Sequence, residues 1–184
     1  MKNITAILSI LCTCMMFMLS ASTNAQTVEF KGGPVIMGFG KNAPVSTHTV
    51  PNDTVFKVAF DVGSTSDNKD EVNNKFNSLA RFINMHVAAG VKKENIQLAL
   101  VVHGKATLDL LDHTHYKQKF AYDNPNKPLL LALMANNVRV ILCGQSAVAY
   151  NVEASQIVAG AEVELSAMTA HALLQQNGYT VNPF

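Results

Sequence analysis

The residues best suited to chemistry in this chain stand where apolar runs stop. The run "VRVIL" ends on Cys143 and is followed at once by Gly144 and Gln145. A thiol placed just before a helix meets amides that have no partner within the helix. A thiolate or persulfide anion there gains hydrogen bonds and a favourable dipole, and its pKa falls. Gly144 has no side chain to block approach, and the amide of Gln145 is placed to orient a bound anion or sulfur donor. The plainer alternative is packing, because a free cysteine behaves as a small hydrophobe and is among the most buried residue types.

Three further strand ends carry polar groups. His103 follows "IQLALVV" and would either exchange a proton with the thiol or only bond a neighbouring loop. Asp61 closes "TVFKVAFDV" and reads as a turn or capping group before it reads as an acid catalyst. Ser166 follows "AEVEL" and reads as a helix cap before a nucleophile. No G-x-S-x-G elbow supports serine hydrolysis. His113 and His115 lie in "HTHYKQKFAYDNPN", a polar and aromatic stretch expected to form a mobile loop near the strand-end crevice. Their i, i+2 spacing is a weak metal signal even with Cys143 nearby, and neither a metal nor a cofactor is expected. The G-x-G-K at Gly38 to Lys41 lacks the spacing of a phosphate loop. His48, His86 and His171 show no informative spacing.

The elements that must position these groups follow from periodicity. A strand is expected over Thr54 to Val62, then a helix with Val72, Phe76, Leu79, Ile83 and Val87 at helical spacing, stopped by Gly90. Ile96 to Val102 is a continuous apolar run suited to a strand covered on both faces. A helix from about Lys105, a second opening at Pro128, and a strand over Val138 to Leu142 come next. A short helix from Gln145, a helical turn near Glu153 to Val158, the strand "AEVEL", a helix "AMTAHALLQQN" between Ser166 and Gly178, and a short strand "YTV" complete the chain. Strands alternating with helices predict an α/β fold in three layers, α/β/α, with a mostly parallel sheet of about five strands. In such sheets ligands gather outside the carboxyl ends of the strands.

The first 25 residues have the layout of a secretory signal: Lys2, an apolar core from Ile7 to Leu19, and small residues up to Ala25. That core is shorter than the roughly 20 residues a spanning helix needs. Cleavage would remove Cys12 and Cys14 and leave Cys143 alone, which excludes an internal disulfide framework. It would also remove Lys2, the sole charge of the segment, taking the formal net charge from +1 to zero. A neutral chain draws neither nucleic acid nor an anionic membrane surface. The expected organisation is a signal peptide over 1–25, an extended arm rich in Gly, Pro and Thr over 26–53, and one domain over 54–184.

As a set, "NPNKPLLLALMANNVRVILCGQSAVAY" and "AEVELSAMTAHALLQQNGYTVNPF" resemble the DsrE/DsrF-like family, which includes sulfur-relay proteins of the TusD type. The resemblance runs from about Thr54 to Phe184, and the "PVIMGFG" arm is similar to the leader of exported members. It implies a flavodoxin-like domain that forms homo- or hetero-oligomers. It also implies that Cys143 falls on the position where relay members carry sulfur as a persulfide. The leading expectation is therefore an exported, periplasmic protein that binds or transfers sulfane sulfur through Cys143, with a protein donor or acceptor. The alternative is a non-enzymatic oligomeric binding protein that uses the same crevice for a small ligand or a partner, with Cys143 packed.

Overall fold

A computed structural model describes residues 28–47 and 49–182. The predicted signal segment over 1–25 lies outside the described residues. Five strands, β1 (Phe56–Val62), β2 (Ile96–Val102), β3 (Arg139–Cys143), β4 (Glu162–Glu164) and β5 (Thr180–Asn182), form one sheet in the order β4-β3-β2-β1-β5. Every neighbouring pair is parallel. The helices are α1 (Asn74–Ala88), α2 (His113–Phe120), α3 (Lys127–Ala135), α4 (Gly144–Ala149) and α5 (Ala167–Gln176), with 3-10 turns at Lys93–Asn95, Gly104–Leu110 and Ala154–Gln156.

Alternation along the strands divides the core in two. Val58, Phe60 and Val62 of β1, with Leu98, Leu100 and Val102 of β2, face the side covered by Phe76, Leu79 and Ile83 of α1 and Leu129, Leu130 and Leu133 of α3. The other face presents Ala59, Ala99, Val101 and Ile141 to Ala170 and Leu174 of α5. A single helix covers this second face, and the alanines on the strands let it lie close. α5 leaves β4 and passes beneath the sheet to β5, at the far edge beside β1. Chain leaving β3 therefore packs on the first face and chain leaving β4 on the second, which puts a topological switch point between β3 and β4.

Three stretches differ from expectation. "HTHYKQKF" is a helix rather than a mobile loop: the Asp112 carboxylate accepts from the His115 amide at 2.8 Å, and Tyr116 stacks on Phe120 one turn later with ring centroids 4.7 Å apart. The stretch from Lys105 is a 3-10 turn, because Gly104 (φ +51°) breaks the strand and Leu111 must return to bridge Ile157. The arm is folded rather than extended. Lys31 and Asn42 bridge, Ile36 is 2% exposed, and Gly40 lies so close to α1 that a Cβ there would sit 2.3 Å from the Ala80 carbonyl carbon.

Asn84 of α1 is the clasp of the arm. Its carbonyl accepts from the amides of Val35 (3.0 Å) and Ile36 (2.8 Å), and its NH2 donates to the carbonyls of Ile36 and Phe39, both at 3.0 Å. Alanine at 84 leaves four backbone groups without their partner. The expected result is a loss of roughly 2–4 kcal/mol, with hydrogen exchange at the Val35 and Ile36 amides accelerating more than exchange in β2. Uniform acceleration across the domain would contradict a local clasp.

Candidate functional site

Alternation and register converge on one cleft. Asp61 pairs with Val101 in β1–β2, and Val101 pairs with Ile141 in β2–β3. Two residues on from Val101 and Ile141, on the same face, stand His103 and Cys143. The α5 helix lies on that face, so a groove opens between its first turns and the strand ends. Asp61, His103, Cys143, Gln145 and Ser166 all line this cleft of about 750 Å³. Gly144 serves packing: a Cβ there would meet the Glu164 carbonyl oxygen at 2.8 Å, so glycine lets α4 start against the end of β4.

Cys143 is the residue before α4 and sits at the switch point. Burial pushes its thiol pKa up, but hydrogen bonds from the Ser146 hydroxyl and from the amides of Ser146, Ala167 and Gln145 outweigh burial and hold it below its ordinary value. Two of these amides come from α4 and one from α5, so the loops leaving β3 and β4 close on the same sulfur. Ser146 is itself held, because its Oγ accepts from the Gly104 amide at 3.0 Å, leaving the hydroxyl proton for the sulfur. Alanine at 146 removes a charge-assisted bond of about 1.5–3 kcal/mol. Alkylation of Cys143 at neutral pH is then expected to slow roughly 10-fold or more, with the pH profile moved upward. An unchanged profile would show that the backbone amides suffice.

Asp61 lies inside β1 and is neither a turn nor a cap. Its Oδ1 accepts from His171 Nε2 at 2.8 Å and its Oδ2 from His103 Nε2 at 3.3 Å. Burial pushes its carboxyl pKa up, and the hydrogen bonds from His171 and His103, with the electrostatic pull of both rings, bring it below the usual carboxylate value. The His103 ring lies against Gly63, where a Cβ would stand 2.5 Å from His103 Cε1. Ser166 caps α5, accepting from the Thr169 amide at 3.0 Å.

His171 is the residue that sequence patterning missed. It shares a helical stripe with Ala167, Ala170 and Leu174, and a histidine amid apolar residues on a buried stripe was the available signal. His113 and His115 stand elsewhere: His113 accepts from the Asn124 amide and His115 bonds Asp112. Among the described residues, no cluster of three or more histidine, cysteine or acidic side chains could hold a metal ion, and no helix is long and apolar enough to cross a membrane.

The parallel sheet, the covered faces and a thiol at the switch point define a three-layer α/β protein of flavodoxin-like form, with its functional groups at the strand ends. The profile of the DsrE/DsrF-like family matches residues 57–183, and the chain belongs to that family. Among solved structures it is similar to a protein of unknown function from Methanobacterium thermoautotrophicum, with 13% identity and a TM-score of 0.50. That match covers 70% of this chain and 99% of the other. The likeness establishes the shared fold. No curated protein matches the chain.

Proposed function

We propose that the protein is an exported carrier that binds or transfers sulfane sulfur as a persulfide on Cys143. The observation that carries this reading is the seat of Cys143 at the start of a helix in an open cleft, where the Ser146 hydroxyl and the amides of Ser146, Ala167 and Gln145 lower its thiol pKa. Such a cradle favours the thiolate that attacks and, once sulfur is loaded, the persulfide anion that results. Membership of the family points to a role related to sulfur relay. The signal-like first 25 residues support export to the periplasm. Partners would be a sulfur donor or acceptor protein and further copies of this chain.

The test is intact mass of the processed protein before and after exposure to polysulfide, with and without a reductant. The expected result is a gain of one sulfur atom that the reductant removes. No gain in a folded protein overturns the carrier reading.

A second reading, non-covalent binding of a small ligand in the cleft, draws on the depth of Cys143, which is 5% exposed. Labelling by a thiol reagent separates the two. Fast modification of the native protein supports the carrier, and labelling only after denaturation supports the binding module.

A further inference from the structure

We propose that His171 is a positioning residue that holds Asp61 against His103, so that His103 handles the proton of the sulfur-exchange step. The three side chains come from β1, the end of β2 and α5, and they meet on one carboxylate. Both rings line the cleft, and side-chain exposure is 15% for His171 against about one third for Asp61 and His103, so His171 is the deeper anchor and His103 the more open ring. The His171–Asp61 bond is the shorter by half an ångström, as suits an anchor. Among the described residues nothing bonds His171 Nδ1, so the one polar contact of this ring goes to Asp61.

An ionised Asp61 can only accept. It therefore favours the Nε2–H form of both rings and leaves the lone pair of His103 on Nδ1. A carboxylate that fixes a histidine's tautomer and steadies the imidazolium is a recurring device for proton handling. Without His171, Asp61 would keep one bond, the longer one, and both its rotamer and the orientation of His103 would loosen.

The step it serves rests on the carrier reading. The Cys143 thiolate attacks the outer sulfur of a donor persulfide R–S–SH. A sulfur–sulfur bond forms on Cys143, the bond between the two donor sulfurs breaks, and R–S⁻ leaves with the electron pair. His103 takes the proton of the transferred sulfur and returns it to the departing thiolate. The products are the Cys143 persulfide anion and R–SH, with charge and hydrogen conserved and no external oxidant. The amide cradle receives the anion and the histidine neutralises the leaving group, which divides the work between two sides of the cleft.

The test compares wild type with His171→Phe, which keeps the ring bulk, and His171→Gln, whose amide can still donate to Asp61. Two readouts are taken: the single-turnover rate of loading from cysteine persulfide, and the tautomer of His103 by nitrogen-15 NMR. In His171→Phe loading is expected to slow about tenfold, while iodoacetamide alkylation of Cys143 stays within about twofold because His171 makes no bond to the sulfur. His103 is expected to shift from the Nε2–H form to a mixture, and His171→Gln to restore both readouts most of the way. Should His171→Phe fail to fold, Asp61→Asn is expected to give the same two changes. Either readout unchanged, or no restoration by glutamine, overturns the proposal. If wild type takes up no sulfur, the carrier reading fails by itself, and the tautomer comparison alone then supports or overturns the positioning role.

Discussion

Serine in place of Cys143 is expected to abolish sulfur uptake while leaving the fold in place. Oxygen is smaller than sulfur, but a serine Oγ would face the same donors as the thiol, the Ser146 hydroxyl and the amides of Gln145, Ser146 and Ala167. The cost in stability should be about 1 kcal/mol, or roughly 2–4 °C in Tm. The chemistry differs far more. An alcohol at neutral pH has almost no alkoxide, so donors that lower a thiol's pKa cannot make serine a nucleophile toward sulfur. Intact mass and a thermal melt on the same preparation decide the matter. Uptake retained by Cys143→Ser would place the sulfur elsewhere or in non-covalent form and remove Cys143 from the mechanism.

What could be read in advance depended on how local the signal was. The β2 run announced itself because both faces of that strand are covered, leaving no polar residue but Gln97 to break it. Cys143 was placed by an apolar run that ends at a helix start, and Ser166 by a short strand followed at once by a helix that it caps. His171 was invisible for the opposite reason. Its partner Asp61 lies 110 residues away, and the contact exists only because α5 crosses beneath the sheet from β4 to β5. Strand order is needed to know that, and local patterning does not contain it. The alanines Ala59 and Ala99 mark where a helix can approach a strand face closely, but not which helix does so. The helix α2 was misread because its apolar content is small: Tyr116 and Phe120 at one-turn spacing, with Asp112 as an unrecognised cap. The folded arm was hidden in the same way, since what holds it are polar side chains of an amphipathic helix, chiefly Asn84 with Asn77 and Arg81 beside it.

Asp109 is expected to be, with Asn84, among the costliest polar residues to remove. It is 1% exposed, and its carboxylate accepts from Thr65 Oγ1 at 2.7 Å and from Asn73 Nδ2 at 2.8 Å. Asn73 also donates to the Ser64 carbonyl at 2.9 Å, while the Asn73 amide donates to Asn126 Oδ1 at 2.7 Å. The network thus ties the chain after Gly63, on which the His103 ring rests, to the starts of α1 and α3. Alanine at 109 strands the buried Asn73 donor and the half-buried Thr65 hydroxyl and opens a cavity, so a loss of about 2–4 kcal/mol is expected. Looser seating of His103 should accompany it. Burial pushes the Asp109 carboxyl pKa up, and the bonds from Thr65 and Asn73 and the charge of Lys69 only partly oppose this. The native state therefore holds this proton more tightly than the unfolded chain does. That contribution to stability is greatest in acid and falls as pH rises from the unfolded value, about 3.9, through the higher native one, and it is constant beyond. Asp109→Asn keeps the shape and can pair with the same two side chains, the Thr65 hydroxyl turning to accept, but it does not titrate. The Tm of wild type minus that of Asp109→Asn should accordingly rise on acidification across this window. The other carboxylates are common to both proteins and cancel in the difference. A difference that stays flat with pH would mean that Asp109 holds no raised pKa, and the loop beneath His103 would then rest on neutral hydrogen bonds alone.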